Sequence, residues 1–186
     1  REFNIGDGLV IERIEGVATT VYLLQGKKKI LLADLGYGYT QLLPILMKIV
    51  IIASDNGQRN TGFPTSYRPS VFLLEEPEGN LHPSYQSKIA DLIIDAGERF
   101  NIQFIIETHS EYLIRKLQYH TAAGRLKPQD TAIYYFESPT SKKKKKNRVR
   151  KITIQKDGRL SAPFGEGFFD ETPRLMLSLL NSNNEN

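Results

Sequence analysis

Residues 71–83 read VFLLEEPEGNLHP, and this stretch decides the fold class. It opens with a short continuous apolar run, which is typical of a strand buried on both faces of a parallel sheet. Glu75 and Glu76 follow, so they are expected at the carboxyl edge, where open α/β sheets bind their ligands. Because adjacent strand side chains point to opposite sides, one acid is expected to face a metal ion and the other a water molecule. The alternative is that both acids are solvated as the chain enters a loop.

The chain downstream of this strand predicts a second one beside it. Residues 82–100 carry apolar side chains at helical spacing, and residues 104–106 form another short apolar run. Strand, helix and strand in this order predict a βαβ unit with neighbouring parallel strands. The second strand ends in the sequence ETHS, which places His109 at the same crevice as the two acids. An imidazole there can donate a hydrogen bond to a phosphate oxygen, although a lone histidine in this position is more often a packing residue.

Upstream, a glycine-containing turn precedes a predicted helix. Residues 35–41 read LGYGYTQ, and residues 40–52 have helical spacing with Pro44 in the first turn. Backbone amides at a helix N-terminus, made approachable by glycine, are suited to bind an anion. The alternative is a tight turn that Thr40 caps. The first 35 residues read as short antiparallel strands.

Composition narrows the function classes. The chain has 186 residues, 25 of them basic and 21 acidic, and no cysteine, which excludes disulfides, thiolate metal sites and a cysteine nucleophile. Eight of the basic residues lie in the segment that runs from Lys142 to Lys151, which leaves 17 basic residues against the 21 acids. Most of this segment lies in the loop between two predicted strands of a hairpin, residues 132–136 and 149–154. Its positive charges make it a candidate DNA contact. The alternative is a solvated loop, which the absence of interleaved aromatic residues for base stacking favours. No apolar run reaches about 18 residues, so we expect no membrane span. Because the chain has no cysteine and its first residues show no signal-peptide pattern, we expect a cytoplasmic protein.

Together these elements resemble the C-terminal half of an ABC-type ATPase head, as found in the structural-maintenance-of-chromosomes (SMC), RecF and overcoming-lysogenization-defect (OLD) families of AAA ATPases. The resemblance covers residues 34 to 110 and implies an α/β fold, part of a P-loop NTPase sheet with flanking helices. It implies ATP and Mg²⁺ as cofactors and two heads that form a homodimer.

The resemblance also implies a role for each motif residue. Glu75 would hold Mg²⁺ through water, Glu76 would polarise the attacking water, and His109 would contact the γ-phosphate. The turn formed by Gly36, Tyr37, Gly38 and Tyr39 would bind the γ-phosphate of a nucleotide that the opposite subunit holds. Asn80 would lie in the loop at the dimer interface. The chain departs from the family where Glu75 replaces the usual aspartate and Gly36 the usual serine.

The motif sequences EEPE and DLGYGYTQLLPIL are similar to those of prokaryotic OLD-like ATPases, some of which act in anti-phage defence. The C-terminal part resembles a small β-rich domain of unknown function that is appended to many such ATPases. The predicted organisation is half of an ATPase head over residues 1–125, the small domain over 126–172, and a short helix with a disordered tail over 173–186.

A Walker A string, G-x-x-x-x-G-K-[ST], does not occur in the sequence. We therefore expect the Walker A half to precede Arg1 in a longer parent or to come from another chain, and the chain alone to have little ATP turnover. The complete head is expected to be an ATPase coupled to a nuclease, another effector protein or DNA, in DNA repair or anti-phage defence. The alternative is a non-enzymatic dimerisation or docking module from a truncated head.

Overall fold

The computed structural model describes residues 6–14, 18–58, 70–137 and 148–183. The chain forms two compact units, Arg1–Lys116 and Leu117–Asn186. The first contains the strand–helix–strand segment with its acids and histidine, and the second contains the C-terminal hairpin.

Unit 1 begins with an antiparallel sheet of three strands in sequential order. The strands are β1 (Gly8–Ile14), β2 (Ala18–Gln25) and β3 (Lys28–Leu31), as the sequence predicts. Gly26 makes the β2–β3 turn with a φ of +57°, a backbone conformation that glycine adopts without strain. A short 3-10 helix, Leu32–Asp34, connects this sheet to the first long helix.

That helix, α1, spans Tyr37–Gln58 and is longer than predicted, because the glycine turn itself forms its first turn. Ile49 and Ile52 of α1 pack into a buried cluster with Ala96 and Ile102. By length and composition alone, the window Tyr37–Ser54 is apolar enough to cross a membrane, with a mean hydropathy of 1.3. The core helix of a soluble protein meets the same criterion, so the absence of a membrane span stays a prediction.

The βαβ unit has the predicted form, and the α/β class is confirmed. Strand β4 (Ser70–Glu75) and strand β5 (Ile102–Glu107) pair in parallel, and α2 (Pro83–Phe100) connects them. The helix starts with Pro83 and ends at Asn101, which takes the left-handed conformation that commonly closes a helix. Helix α3 (Glu111–Ala122) follows β5.

The two faces of this parallel sheet differ. Phe72 and Phe104 pack against the core cluster, with ring centroids 5.8 Å apart. On the opposite face, Val71, Leu73 and Ile105 are 53%, 68% and 52% exposed. The prediction that these strands are buried on both faces is therefore wrong for the described residues, where a second covering layer is not present. The register aligns Glu75 with Glu107, so both strands end at the same edge.

Unit 2 contains the hairpin of β6 (Ile133–Phe136) and β7 (Val149–Ile152), which pair antiparallel as predicted. Ile152 and Ile154 are completely or almost completely buried and form its centre. Helix α4 spans Glu171–Asn183, so it continues into the stretch predicted to be a disordered tail. Residues 142–147, which carry the lysine run, lie outside the described residues.

Candidate functional site

Two main-chain hydrogen bonds define the conformation of the loop after β4. Strand β4 ends at Glu75, and Glu76 has a φ of +40°, which takes it out of the strand geometry. The expected alternation of the two acids across a strand therefore does not apply to Glu76. Its amide donates to the Glu107 carbonyl at 2.9 Å, and its own carbonyl accepts from the Gly79 amide at 2.9 Å. These two hydrogen bonds tie the loop to the end of β5 and close it into a turn.

The structure brings two of the predicted catalytic side chains together. His109 Nε2 lies 3.6 Å from Glu76 Oε1 and 3.1 Å from Glu107 Oε1. The three side chains are 54% to 66% exposed, so the cluster is accessible to a ligand. Glu75, the predicted metal residue, lies at the same edge but is not part of this cluster.

The donor set of this cluster fits a divalent cation. One ligand atom from each of Glu76, Glu107 and His109 lies within 4.8 Å of the other two. Carboxylate oxygens are the hard donors that Mg²⁺ prefers, and it usually binds through one or two of them with water completing the shell. Glu76 and Glu107 therefore offer carboxylate oxygens for such an ion, and the His109 imidazole adds a nitrogen donor.

Behind the cluster, Glu78 is a buried carboxylate with defined partners. Its Oε1 accepts a hydrogen bond from the Thr108 hydroxyl at 2.6 Å and another from the His109 amide at 2.7 Å. Glu78 therefore connects the loop after β4 to the segment that carries the histidine.

The predicted phosphate-binding residues lie together in unit 1. A cavity of about 230 Å³ is lined by Gly36, Tyr37, Gly38, Tyr39 and Asn80, all five of which the sequence singles out, and by Leu42, Leu81, His82 and Tyr85. Two separate segments, the N-terminal turn of α1 and the loop before α2, build its walls.

The chemistry of this cavity is aromatic and uncharged. A hydrogen bond with Tyr85 raises the pKa of the Tyr39 phenol above its ordinary value, and burial raises it further. Their ring centroids are 6.5 Å apart. The turn approaches the neighbouring loop closely, since a Cβ at Gly38 would lie 2.9 Å from the Asn80 carbonyl oxygen.

Gln41 joins the cavity to the cluster. Its side-chain amide donates to the Glu76 carbonyl oxygen at 3.1 Å, and its side-chain oxygen accepts from the Asn80 amide at 3.3 Å. Gln41 thus holds together the first turn of α1 and both ends of the loop after β4.

Sequence reasoning missed three residues of this arrangement: Gln41, Glu78 and Glu107. Glu107 closes the second buried strand as Glu75 closes the first, so strand pairing was a usable signal for it. Glu78 and Gln41 follow no periodic pattern, and their partners are distant in sequence.

Two protein-family models match the chain. The family model described as an AAA ATPase domain matches residues 3–114, more than half of the chain. The chain belongs to the AAA ATPase domain family. This confirms the resemblance to an ATPase head that the motifs predict, and ATP and Mg²⁺ are the general cofactors of this family. A second family model, of a protein of unknown function (DUF3696), matches residues 126–179.

Individual relatives of this AAA ATPase domain chain are ATP-binding proteins. The methionine import ATP-binding protein MetN of Geobacillus kaustophilus is 30% identical over 74 residues, which are 38% of this chain and 22% of that protein. The lipoprotein-releasing system ATP-binding protein LolD of Buchnera aphidicola is 32% identical over 71 residues, 38% of this chain and 29% of that protein. The chain thus spans between a fifth and a third of the length of these curated relatives.

A solved structure also aligns with the chain. It comes from work on the ATP-driven dimerisation and DNA-stimulated activation of SMC ATPases. The TM-score is 0.48 and the sequence identity 13%, over 84% of this chain and 81% of that one.

Proposed function

We propose that this chain is the C-terminal half of an ABC-type ATPase head that hydrolyses ATP with Mg²⁺ in its complete form. The observation that carries the proposal is the convergence of Glu76, Glu107 and His109 at the carboxyl edge of two parallel strands. Ligands of open α/β folds bind at this edge, and the acids and imidazole there are the groups that phosphoryl transfer to water requires.

In the proposed reaction, Glu76 polarises the attacking water, and its exposed carboxylate is accessible to that water. His109 donates a hydrogen bond from Nε2 to the γ-phosphate, in place of the 3.1 Å contact that Nε2 makes with Glu107 Oε1. Glu107 would hold the metal directly, and Glu75 would contact it through water. Mg²⁺, when bound, supplies positive charge that stabilises the phosphate oxygens in the transition state.

We propose that the cavity serves a second head. Its glycine turn at residues 36–39 and Asn80 would contact a nucleotide that the opposite subunit holds, in a homodimer of heads. Since Gly36 offers no hydroxyl group, this contact would use backbone amides at the N-terminus of α1, where the helix dipole favours an anion.

One further part of the proposed assembly is argued from an exposed surface. The apolar sheet face formed by Val71, Leu73 and Ile105 supports a missing layer, which we assign to the Walker A half of the head. We also propose a division into a head half over residues 1–125, a small domain over 126–172 and a tail. The proposed partners are a nuclease or another effector protein, and DNA, which Lys142 to Lys151 would contact. The proposed location is the cytoplasm, and the proposed role is DNA repair or anti-phage defence.

Two measurements test this function: titration of labelled ATP with Mg²⁺, and the rate of ATP turnover. Both are made on the 186-residue chain and on a protein that also supplies a Walker A half. In the completed head, we expect Glu76→Gln to lower turnover by roughly 10² to 10⁴, while nucleotide stays bound and heads dimerise. Glu98→Gln, an exposed acid of α2, is the matched control and should leave turnover unchanged.

Two results would contradict the proposal. Turnover by the short chain alone that Glu76→Gln abolishes would refute the need for a Walker A half. Equal nucleotide behaviour of the completed protein with and without Glu76→Gln would instead favour a docking module that does not hydrolyse ATP.

A further inference from the structure

Glu78 is the buried acidic residue nearest to the proposed catalytic groups. Its side chain is largely shielded from solvent and from substrate. The residue is only 7% exposed, and its Oε1 accepts from the Thr108 hydroxyl and the His109 amide at 2.6 and 2.7 Å. Its Oε2 is buried and has no hydrogen-bond partner among the described residues. Burial of a carboxylate is unfavourable unless hydrogen bonds or an opposite charge replace the lost water, and here only one of the two oxygens has partners among the described residues, so this residue requires an explanation.

The chain around Glu78 is suited to hold its side chain still. Pro77 is fully buried beside it, and the turn from Glu76 to Gly79 is closed by a main-chain hydrogen bond of 2.9 Å. Gly79 lies close to Gln41, since a Cβ at Gly79 would be 2.9 Å from the Gln41 side-chain nitrogen. Glu78 therefore projects from a fixed base.

Both donors to Glu78 belong to the segment that sets the direction of the His109 ring. The Thr108 hydroxyl also accepts a hydrogen bond from the Ser110 amide at 3.0 Å, so Thr108 and its two neighbours are held around one carboxylate. Loss of that acceptor would free the main chain at His109, whose ring lies between Glu76 and Glu107.

We propose that Glu78 is a positioning residue. It fixes the His109 imidazole relative to Glu76 and Glu107 by accepting hydrogen bonds from the Thr108 hydroxyl and from the His109 main-chain amide. The catalytic consequence rests on the proposed function, in which His109 contacts the γ-phosphate. The geometric part does not, because it concerns only where the ring is held. The acceptor oxygen, and not the negative charge, is the feature that the position requires.

Two variants separate the acceptor from the charge. Glu78→Gln keeps an acceptor oxygen and removes the charge, whereas Glu78→Met keeps the length and removes the acceptor. The side-chain NMR signals of the imidazoles report the result, and the chain has three histidines. We expect Glu78→Met to shift the His109 ring signals and to speed exchange of the His109 amide. Glu78→Gln should restore both, and the His82 and His120 rings should not respond in either variant.

Unmoved His109 signals in Glu78→Met would overturn the proposal, and so would equal shifts in Glu78→Gln and Glu78→Met, which would assign the effect to charge. If Glu78→Met does not fold, Thr108→Val removes one of the two donors and should shift the His109 ring by a smaller amount; no shift there would also overturn it.

Kinetics keep this proposal distinct from the proposed function. In a protein that turns over ATP, Glu78→Met should lower kcat by about 10² with little change in KM, since misplacement of a catalytic group by about 1 Å has an effect of that size. Glu78→Gln should stay near the wild-type rate. A protein without turnover would refute the function and leave the NMR comparison valid, whereas an active protein in which Glu78→Met keeps its kcat would refute the positioning role.

Discussion

Gly38 lies where the first turn of α1 meets the loop before α2, and a side chain does not fit there. A Cβ would lie 2.8 Å from Leu81 Cδ2 and 2.9 Å from the Asn80 carbonyl oxygen, of which the second belongs to the main chain. We expect Gly38→Ala to lower the free energy of unfolding by about 1 to 3 kcal/mol, as is usual for overpacking. Thermal unfolding measures this change.

Gly36→Ala is the matched control for Gly38→Ala. A Cβ at Gly36 would have no atom within 4 Å, so the stability should change by less than about 0.5 kcal/mol. Equal unfolding temperatures for the two variants would show that the close approach of turn and loop is absent in solution.

Glu107 can be tested as a metal ligand independently of ATP. Since it provides one of the three converging donors, Glu107→Gln should weaken Mn²⁺ binding by roughly tenfold or more, measured by electron paramagnetic resonance. Glu75→Gln, one strand away at the same register, should have the smaller effect. The opposite order would assign the metal to Glu75.

At the scale of elements, α1 is fastened to the loop after β4 through one side chain. Gln41→Met removes two hydrogen bonds, to the Glu76 carbonyl and from Asn80, and should destabilise the chain by about 1 to 2 kcal/mol. Hydrogen exchange of the amides in residues 76–82 should become faster.

The partner of Gln41 supplies the control. Asn80 has a φ of +58°, so Asn80→Gly removes the side-chain amide without backbone strain. Both variants remove the side-chain hydrogen bond between Asn80 and Gln41. The double variant should therefore lose less stability than the two single losses added together. Full additivity would show that the two amides do not interact.

These elements also show what a sequence reveals. Apolar runs and helical spacing are local properties, so β4, α2 and β5 and the place of Glu76 and His109 were predictable. The contacts of Gln41 and Glu78 join residues 35 and 31 positions apart, and local patterns do not encode such pairs. The left-handed backbone at Glu76 was also missed, because a run of strand-forming residues gives no sign of where the strand ends.

At the scale of the whole molecule, the uncovered face of the parallel sheet should determine how the chain behaves in solution. Val71, Leu73 and Ile105 form an exposed apolar patch, and such patches associate with other apolar surfaces. We expect the chain to bind a hydrophobic dye such as ANS, and Leu73→Ser to reduce that fluorescence with a stability change within about 0.5 kcal/mol.

Gln103→Ser is the control for Leu73→Ser, because Gln103 is an exposed polar residue of the neighbouring strand. It should leave the fluorescence unchanged. If Leu73→Ser binds as much dye as the wild type, another surface accounts for the binding.

The shared register of β4 and β5 links folding to chemistry. Phe72 lies opposite Phe104 and Glu75 opposite Glu107 along the same ladder. A slip of one residue would set Ile106 beside Glu75 and turn Glu107 toward the interior. The alternation that packs the two aromatic rings therefore also aligns the acids, and a variant with loosened strand pairing would lose the alignment of Glu75 with Glu107 before it lost its secondary structure.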